Sequence, residues 1–156
     1  MRKPWNRPDL PVYSAATTGK QGGNMNICTY VIAVSMTPKR MAVAFYKGTM
    51  SLQNVQHHPH FILQLLASDQ YKLVRLLGQK SGRTIDKLSK LKDSVGDYRG
   101  FTCLNNAAAR MACDIIEWID AGDHMLAICD VVSYANLRDT DLLTTGLLRE
   151  KKIIRA

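Results

Sequence analysis

The sequence contains no apolar run that approaches the roughly 18 residues a membrane-spanning helix requires. Its first residues, MRKPWNRPDLPVYS, hold no apolar stretch of the kind found in a secretory signal. The four cysteines, Cys28, Cys103, Cys113 and Cys129, form no Cys-x-x-Cys pair. Neither a disulfide framework nor a zinc site is therefore indicated, and buried free thiols are favoured. From these absences we expect a cytoplasmic protein without a membrane segment.

Signature motifs of several enzyme classes are also missing. The chain has no Gly-x-Ser-x-Gly or His-Glu-x-x-His motif, and no Gly-x-Gly-x-x-Gly turn joins a strand to a helix. His57, His58 and His60 lie close together, but Pro59 breaks the spacing that would bring their rings to one ion. A solvated helix end is the favoured interpretation, a metal site is the minor one, and we predict no metal.

Basic residues are in excess, since 21 Lys and Arg against 13 Asp and Glu give a formal net charge of +8. Such a charge attracts polyanions, and it also suits a phosphate-bearing cofactor or substrate. The basic residues are spread over the stretches 2–7, 72–92 and 149–155, so we expect no nucleic-acid partner. With 156 residues, 46% of them apolar, the chain is predicted to form a single domain over 1–156.

Short apolar runs rich in β-branched and aromatic residues dominate the chain from Ile27 onward. ICTYVIAVSM and RMAVAFY predict an antiparallel strand pair, FILQLLA a third strand, and ACDIIEWID with MLAICDVV a hairpin. Helices are predicted after an N-cap at Thr49, over 68–79 and over 81–92. Residues 93–106 are predicted to be a polar loop, and LREKKIIRA a last strand or tail.

The beginning of the chain has a different composition. Residues 1–23 are rich in Pro, Gly and polar residues, which predicts an extended arm followed by a TTGKQGG loop. Because the later runs are apolar on more than one face, a closed or covered antiparallel β architecture is favoured over a doubly wound parallel sheet.

The stretch YKGTMS, residues 46–51, has the composition of an anion site. Lys47 supplies a charge, Gly48 permits close backbone approach, and Thr49 and Ser51 supply hydroxyls where a helix begins. The N–H groups and dipole of a helix N-terminus suit a phosphate. An ordinary N-cap beside a solvated lysine is the alternative.

A second stretch, GQKSGRTIDK at residues 78–87, combines glycines and a hydroxyl with cations. Lys80 and Ser81 lie between two glycines, and Arg83 and Lys87 follow. The order differs from a Walker loop, and a solvated basic helix face is the alternative interpretation.

Three stretches together resemble the flavin reductase-like, FMN-binding split-barrel family, and most nearly its flavoredoxin-like branch. They are NMNICTYVIAVSMTPKRMAVAFYKGTMSLQNV (24–55), LVRLLGQKSGRTIDKL (73–88) and IDAGDHMLAICDVV (119–132). Each motif is modest alone, but their order and spacing make the resemblance specific over 11–132. It implies a six-stranded antiparallel Greek-key split barrel, with two or three inserted helices, that forms a homodimer and holds FMN near the dimer interface.

The resemblance also implies which residues hold the cofactor. The first family strand follows the flavin ring and ribityl chain, which carries over to Asn26, Cys28, Thr29, Tyr30, Ala33, Val34 and Ser35. The following turn binds the phosphate, which carries over to Lys47, Gly48, Thr49 and Ser51. Lys80, Ser81 and Lys87 are weaker candidates near the cofactor. The stretch ICTYVIAVS has fewer hydroxyls than many members that reduce free flavin, which favours tightly held FMN.

The implied activity is transfer of electrons from NADH or NADPH through FMN to an acceptor, which could be free flavin, a ferric complex or a partner protein. The cofactor would carry the redox chemistry while the protein orients it. An FMN-binding electron carrier with little intrinsic NAD(P)H activity is the alternative, and a small nucleic-acid-binding barrel is a third hypothesis that rests on charge alone.

His124 follows the turn DAGD, in a stretch that by itself predicts an ordinary hairpin turn. The family motif Gly-Asp-His matches Gly122, Asp123 and His124, and places the histidine beside the flavin and nicotinamide pocket. We therefore predict that His124 acts in catalysis as a hydrogen-bond donor or nicotinamide-positioning group.

Overall fold

Antiparallel strands form most of the regular structure in the computed structural model, which describes residues 1–155. The strands are β1 (Tyr13–Gly19), β2 (Gly22–Cys28), β3 (Val31–Ser35), β4 (Arg40–Tyr46), β5 (His60–Leu65), β6 (Val95–Tyr98), β7 (Phe101–Leu104), β8 (Ala109–Asp120) and β9 (His124–Asn136). The α-helices are α1 (Met50–His57), α2 (Leu73–Gln79) and α3 (Thr145–Glu150), and four short 3-10 helices cover Pro4–Asn6, Ser68–Gln70, Leu88–Lys90 and Lys92–Ser94. The predicted mainly β class with a few helices is confirmed. Among residues 1–155, no helix has both the length and the apolar character needed to cross a membrane.

Seven strands form one antiparallel sheet in the order β2-β1-β5-β8-β9-β4-β3, and β6 pairs with β7 in a separate hairpin. The edge strands β2 and β3 follow one another in the chain with only Thr29 and Tyr30 between them. The sheet must therefore curl until its two edges approach each other, which gives a barrel that is split at this link. The expected six strands become seven because β1 belongs to the sheet.

Two groups of buried side chains hold the sheet in this curled form. One surrounds Phe45 and Phe61, whose rings meet edge to face at 5.3 Å. The other lies beneath α2, β7 and the C-terminal segment. Buried Gln64 joins the β6–β7 hairpin to the sheet, since its Oε1 accepts a hydrogen bond of 2.7 Å from the backbone N–H of Leu104.

The predicted N-terminal arm over 1–23 is wrong from Tyr13 onward. Residues 13–19 form β1, which pairs with β2 on one side and β5 on the other, and TTGKQGG is the tight end of the β1–β2 hairpin. Ala15 and Ala16 are fully buried. Small residues give β1 little intrinsic strand preference, and the pairing on both sides stabilises the strand instead.

The other secondary-structure predictions are confirmed in some segments and wrong in others. The helix capped by Thr49, the strand near 61–67 and the long β8–β9 hairpin are confirmed, and the first strand pair forms as β3 and β4. The run beginning at Ile27 is broken between β2 and β3 rather than continuous. The predicted helix over 81–92 is replaced by turns and 3-10 segments.

The two remaining segments also need correction. The predicted polar loop over 93–106 contains the β6–β7 hairpin, whose turn uses positive φ at Arg99 and Gly100. Of the predicted strand or tail LREKKIIRA, residues 148–150 belong to α3, because the Thr144 hydroxyl accepts a hydrogen bond from the Leu147 N–H and caps this helix. Residues 151–155 follow as turns and bends without strand structure.

The four cysteines are free and buried, as predicted. Burial raises the pKa of Cys28, Cys103 and Cys113 to about 12. Their thiols therefore remain protonated at neutral pH and behave as small apolar side chains.

Candidate functional site

A cleft of about 610 Å³ opens beside the link between β2 and β3. Its walls come from β2, the start of α1, the loop over 78–87 and the first residue of β9. This volume lies within the range of cofactor pockets. The split of the barrel thus places strand-edge, helix-end and hairpin groups around one space.

The N-terminus of α1 forms one end of the cleft. The Thr49 hydroxyl accepts from the Leu52 N–H at 3.3 Å and donates to the Tyr46 carbonyl at 2.8 Å, so Thr49 is the N-cap. Gly48, at φ +84°, sets the turn that precedes it. The first turn of a helix has N–H groups without intrahelical partners, and this end of the cleft can therefore bind an anion.

Lys47 borders the same end, but its side chain is engaged elsewhere. Its Nζ lies 2.9 Å from Oδ1 of Asp120, and this hydrogen bond, with one from the Gly122 N–H, lowers the pKa of Asp120. Both side chains are well exposed, so the pair adds little to stability. The Lys47 backbone N–H donates to the Asp123 carbonyl at 3.0 Å, which fixes the helix entry to the β8–β9 turn.

Polar side chains on β2 form the long wall of the cleft. Asn24, Asn26 and Cys28 lie at alternate positions and thus share one face of the strand. Nδ2 of Asn24 donates to the buried Ser51 hydroxyl at 2.9 Å, joining β2 to α1. Oδ1 of Asn26 accepts from the Ala15 N–H at 3.3 Å and from the Cys28 thiol at 3.6 Å.

The loop over 78–87 closes the opposite side and packs directly on β2. A Cβ at Gly82 would lie 2.3 Å from Oδ1 of Asn24, and one at Gly78 would lie 3.0 Å from Cγ1 of Ile27. Only glycine permits this approach at position 82 without displacing Asn24. The loop and strand therefore form a narrow polar channel toward α1.

Lys87 holds the loop in place from below. Its side chain is buried, and its Nζ donates to the Met25 carbonyl at 3.0 Å and the Leu77 carbonyl at 2.7 Å. Met25 lies on an edge strand and Leu77 in the last turn of α2, places where backbone carbonyls commonly lack partners. Desolvation lowers the pKa of Lys87 to about 8.

His124 also lines the cleft, between two tyrosines and near the entry to α1. Its ring centroid is 5.4 Å from that of Tyr30 and 5.2 Å from that of Tyr46, its partner residue in the β4–β9 ladder. Its Nδ1 lies 2.6 Å from Oδ1 of Asp123. An ionised carboxylate only accepts hydrogen bonds, so this contact places a proton on Nδ1 and leaves Nε2 for a ligand.

The structure brings most of the predicted site residues to the cleft. They are Asn26, Cys28, Thr29, Tyr30, Lys47, Gly48, Thr49, Ser51, Lys80, Ser81, Lys87 and His124. Ala33, Val34 and Ser35 do not line it, because the break at Thr29–Tyr30 directs β3 along the outer side of β4. They lie on the edge strand β3, and their contact with a cofactor stays a prediction.

Several lining residues were not predicted, among them Asn24, Tyr46 and Gln79. Asn24 had a usable signal, since Asn24 and Asn26 are polar residues two positions apart at the start of an apolar run. Tyr46 and Gln79 lie within the two predicted anion segments, but the sequence gives no indication that their side chains border the cleft.

Together, the helix end, the polar channel and the aromatic pair suit a ligand that carries both an anionic group and a flat ring. This chemistry is that of a nucleotide-like cofactor in a β-barrel protein. Comparison with known proteins defines the class more closely.

The family model described as "Flavin reductase like domain" matches residues 7–148. The chain therefore belongs to the flavin reductase-like family, which confirms the resemblance drawn from the three sequence stretches. This membership supports a flavin cofactor and oxidoreductase chemistry in general.

Individual relatives are distant in sequence. A high molecular weight rubredoxin from Moorella thermoacetica is 23% identical over 138 residues, which cover 86% of this chain and 60% of that protein. This chain thus spans about 60% of the length of that relative. An FMN-binding protein from Thermus thermophilus, solved with bound 1-cyclohex-2-enone, superposes with a TM-score of 0.77 at 19% identity, over 87% of this chain and 75% of that one. A flavoredoxin from Methanosarcina acetivorans gives 0.74 at 17% identity, over 82% and 69%. These likenesses confirm the split-barrel fold.

Proposed function

We propose that the protein is an FMN-dependent oxidoreductase that takes reducing equivalents from NADH or NADPH and passes them to a flavin, a ferric complex or a partner protein. When bound, FMN supplies the redox chemistry, accepting hydride from the nicotinamide and releasing electrons to the acceptor. The observation that carries the proposal is the cleft itself, which is lined both by a helix N-terminus and by His124 between two tyrosines.

The helix end is assigned to the phosphate of FMN. The backbone N–H groups at Gly48–Ser51 and the Thr49 cap would hold the phosphate, with Lys80 and Ser81 on the facing loop. Lys87 contributes a buried positive charge beneath the loop. Lys47 acts chiefly through its backbone, since its ammonium is paired with Asp120.

The polar channel is assigned to the ribityl chain and the edge of the flavin. Asn26 and Thr29 supply polar groups there, Cys28 a neutral thiol and Tyr30 an aromatic face. The wall is preorganised because Asn26 is already hydrogen-bonded to β1. This arrangement supports tightly held FMN rather than a freely exchanging substrate.

His124 is assigned to the nicotinamide end. With Nδ1 donating to Asp123, Nε2 accepts a hydrogen bond when the ring is neutral and donates one when the ring is charged. A donor role toward the co-substrate carboxamide therefore requires the imidazolium form, whereas the neutral ring can accept a hydrogen bond from the carboxamide N–H. His124 would position the nicotinamide and would form no covalent bond.

An absorbance spectrum of the purified protein, recorded before and after anaerobic addition of NADH and of NADPH, tests the proposal. Bound FMN should colour the protein yellow, and one or both nucleotides should bleach it. His124→Ala should retain FMN but be reduced more slowly. His60→Ala is a matched control, since its Nδ1 lies 2.7 Å from Asp114 outside this cleft. A protein that takes up no FMN would refute the proposal, and reduction of His124→Ala at the wild-type rate would refute the role of the histidine.

A second candidate function is that of an FMN-binding electron carrier. The names of two of the relatives, a rubredoxin and a flavoredoxin, favour it. Each name describes the relative and not this chain, and a redox partner protein for this chain is therefore proposed by analogy. Bound flavin that is reduced by dithionite or a reduced partner protein, but not by NADH or NADPH, would select this function.

We also propose that the chain acts as a homodimer. The β3 side chains Ile32, Val34 and the nearby Met36 are 65%, 51% and 88% exposed, and Ile116 and Tyr134 on β8 and β9 add further exposed apolar surface. Ala33, Val34 and Ser35 are then assigned to the interface. Sedimentation velocity of the wild type and of Ile32→Lys tests this, with a shift toward monomer expected for the variant.

A cytoplasmic location is proposed on the four free, buried thiols, which suit a reducing compartment.

A further inference from the structure

Two basic stretches that lie far apart in sequence, residues 71–92 and 149–155, contact each other in the fold, and we call their exposed residues the basic face. The Gln79 side chain donates to the Ile153 carbonyl at 3.0 Å. The Tyr71 ring has the Lys72 ammonium 5.9 Å away and the Lys151 ammonium 5.6 Å away. These contacts hold the C-terminal segment against α2 and the loop that follows it.

The basic face carries the whole net charge of the chain. Its two stretches contain eleven of the 21 Lys and Arg but only two of the 13 Asp and Glu, so they sum to +9 against +8 for the chain. The other residues together carry −1. The excess charge is thus concentrated in two stretches that contact each other, where nine of the eleven cations are exposed, Lys87 is buried and Arg149 is partly buried.

Most of these cations are free to face a partner. Lys72, Arg75 and Lys151 are exposed. Of the two acidic residues, Glu150 is exposed, while Asp86 is engaged by the Ser89 N–H at 3.2 Å. Asp69, just outside the face, is taken up by Arg138 at 2.9 Å. The acidic residues of the protein therefore neutralise little of the positive charge on the basic face.

The basic face borders the cleft. Gln79 contacts the C-terminal segment and also lines the cleft, and Lys80 and Ser81 continue the same rim. A protein docked on the face would lie beside the assigned flavin site rather than on the far side of the barrel.

We propose that the basic face is the docking surface for an acidic electron-carrier protein. The inference rests on the proposed function, since the carrier protein is taken to accept electrons from the flavin site or to donate electrons to it. A cationic face next to the opening of a redox site raises the rate of productive encounter with an acidic partner. A nucleic acid fits less well, because the one aromatic ring of the face, Tyr71, is half-buried between two ammonium groups and offers no platform for base stacking.

Binding of an acidic rubredoxin to the FMN-loaded protein tests the proposal, followed by fluorescence anisotropy for the Kd and stopped flow for the association rate. Arg75→Glu/Lys151→Glu should weaken binding by about tenfold or more at low salt, mainly through slower association. Lys20→Glu/Lys39→Glu is the matched control, because it alters the net charge equally at exposed positions outside the face. The control should change the Kd by less than about twofold, and added salt should remove most of the difference.

Equal loss of affinity in both double variants would overturn the proposal. No measurable binding of the rubredoxin would also overturn it, and tight binding of a short DNA duplex that Arg75→Glu/Lys151→Glu weakens would then identify a nucleic acid as the partner instead. The titration is repeated on flavin-free protein. Failure of FMN to bind would count against the proposed function, whereas absence of rubredoxin binding to the FMN-loaded wild type would count against the basic face alone.

Discussion

Replacing Lys87 with methionine should change how stability depends on pH. The Lys87 ammonium is only 4% exposed, and the two backbone carbonyls it meets carry no formal negative charge. Desolvation therefore lowers its pKa from the ordinary 10.5 to about 8. Methionine has a similar length and no charge, so the variant removes the titration while filling most of the space.

The sign follows from proton binding. Between pH 8 and 10.5 the unfolded chain keeps this proton and the folded chain releases it, so the wild type gains stability as pH rises through this window. The difference between the two pKa values corresponds to about 3 kcal/mol of unfolding free energy, of which about 2.5 kcal/mol should be gained between pH 7 and pH 10. Below pH 8 the charged ammonium is a cost, which its two hydrogen bonds offset by about 1.5–3 kcal/mol each.

Urea unfolding at pH 7, 8, 9 and 10 measures this effect as the free energy of the wild type minus that of Lys87→Met. Subtraction removes the contribution of groups that titrate in both proteins, such as Tyr13. Lys90→Met, at an exposed position of the same segment, is the control and should give a flat difference. A flat difference for Lys87→Met as well would refute the buried, desolvated ammonium and the role assigned to it beneath the loop.

Three further substitutions test the cleft and the core. Gly82→Ala should weaken FMN binding and destabilise the fold by about 1–3 kcal/mol, because its Cβ would collide with the Asn24 amide. Isothermal titration measures the FMN affinity and urea unfolding measures the stability. An unchanged FMN affinity would contradict the close packing of the loop on β2. Thr49→Ala should cost about 1 kcal/mol through loss of the helix cap, whereas Thr49→Ser should restore most of it in thermal unfolding. Phe45→Ala should cost about 3–5 kcal/mol in urea unfolding, since it removes a fully buried ring that contacts Phe61; a loss below about 1 kcal/mol would contradict the packing of the barrel.

The elements that could be predicted are those whose own side chains enforce them. The runs that form β4 and β5 have apolar residues buried on both faces, and α1 begins at a threonine whose hydroxyl accepts from its helix. β1 could not be predicted in this way, because YSAATTG owes its extended form to the strands on either side.

One helix was predicted from a periodicity that the structure uses differently. Ile85, Leu88 and Leu91 follow helical spacing, yet only Leu88 lies in a 3-10 helix, while Ile85 lies in a bend and Leu91 in a turn. Lys87 between them reaches inward to backbone carbonyls. A buried lysine that bonds to main-chain oxygens leaves no pattern in the sequence by which its partners could be found.

The candidate site shows the same division. Lys47–Ser51 and His124 were recognisable from local motifs, and the β4–β9 ladder brings them together by pairing Tyr46 with His124. Ala33–Ser35 lie on β3 outside the cleft, and nothing in the run ICTYVIAVS indicates that the strand breaks at Thr29 and Tyr30. Long-range pairing of the sheet, rather than local preference, decides which side chains reach the cleft.

The tether made by Lys87 has a bearing on how this cleft can change in evolution or by design. Both of its acceptors are main-chain oxygens, of Met25 and Leu77, and every amino acid supplies such an oxygen. Side chains along β2 can therefore be exchanged to suit a different ligand without removing an anchor of the loop that covers it. Lys87 and Gly82 cannot be exchanged in this way. We therefore expect substitutions that change ligand preference to occur at Asn26 and its neighbours, while Lys87 and Gly82 are retained.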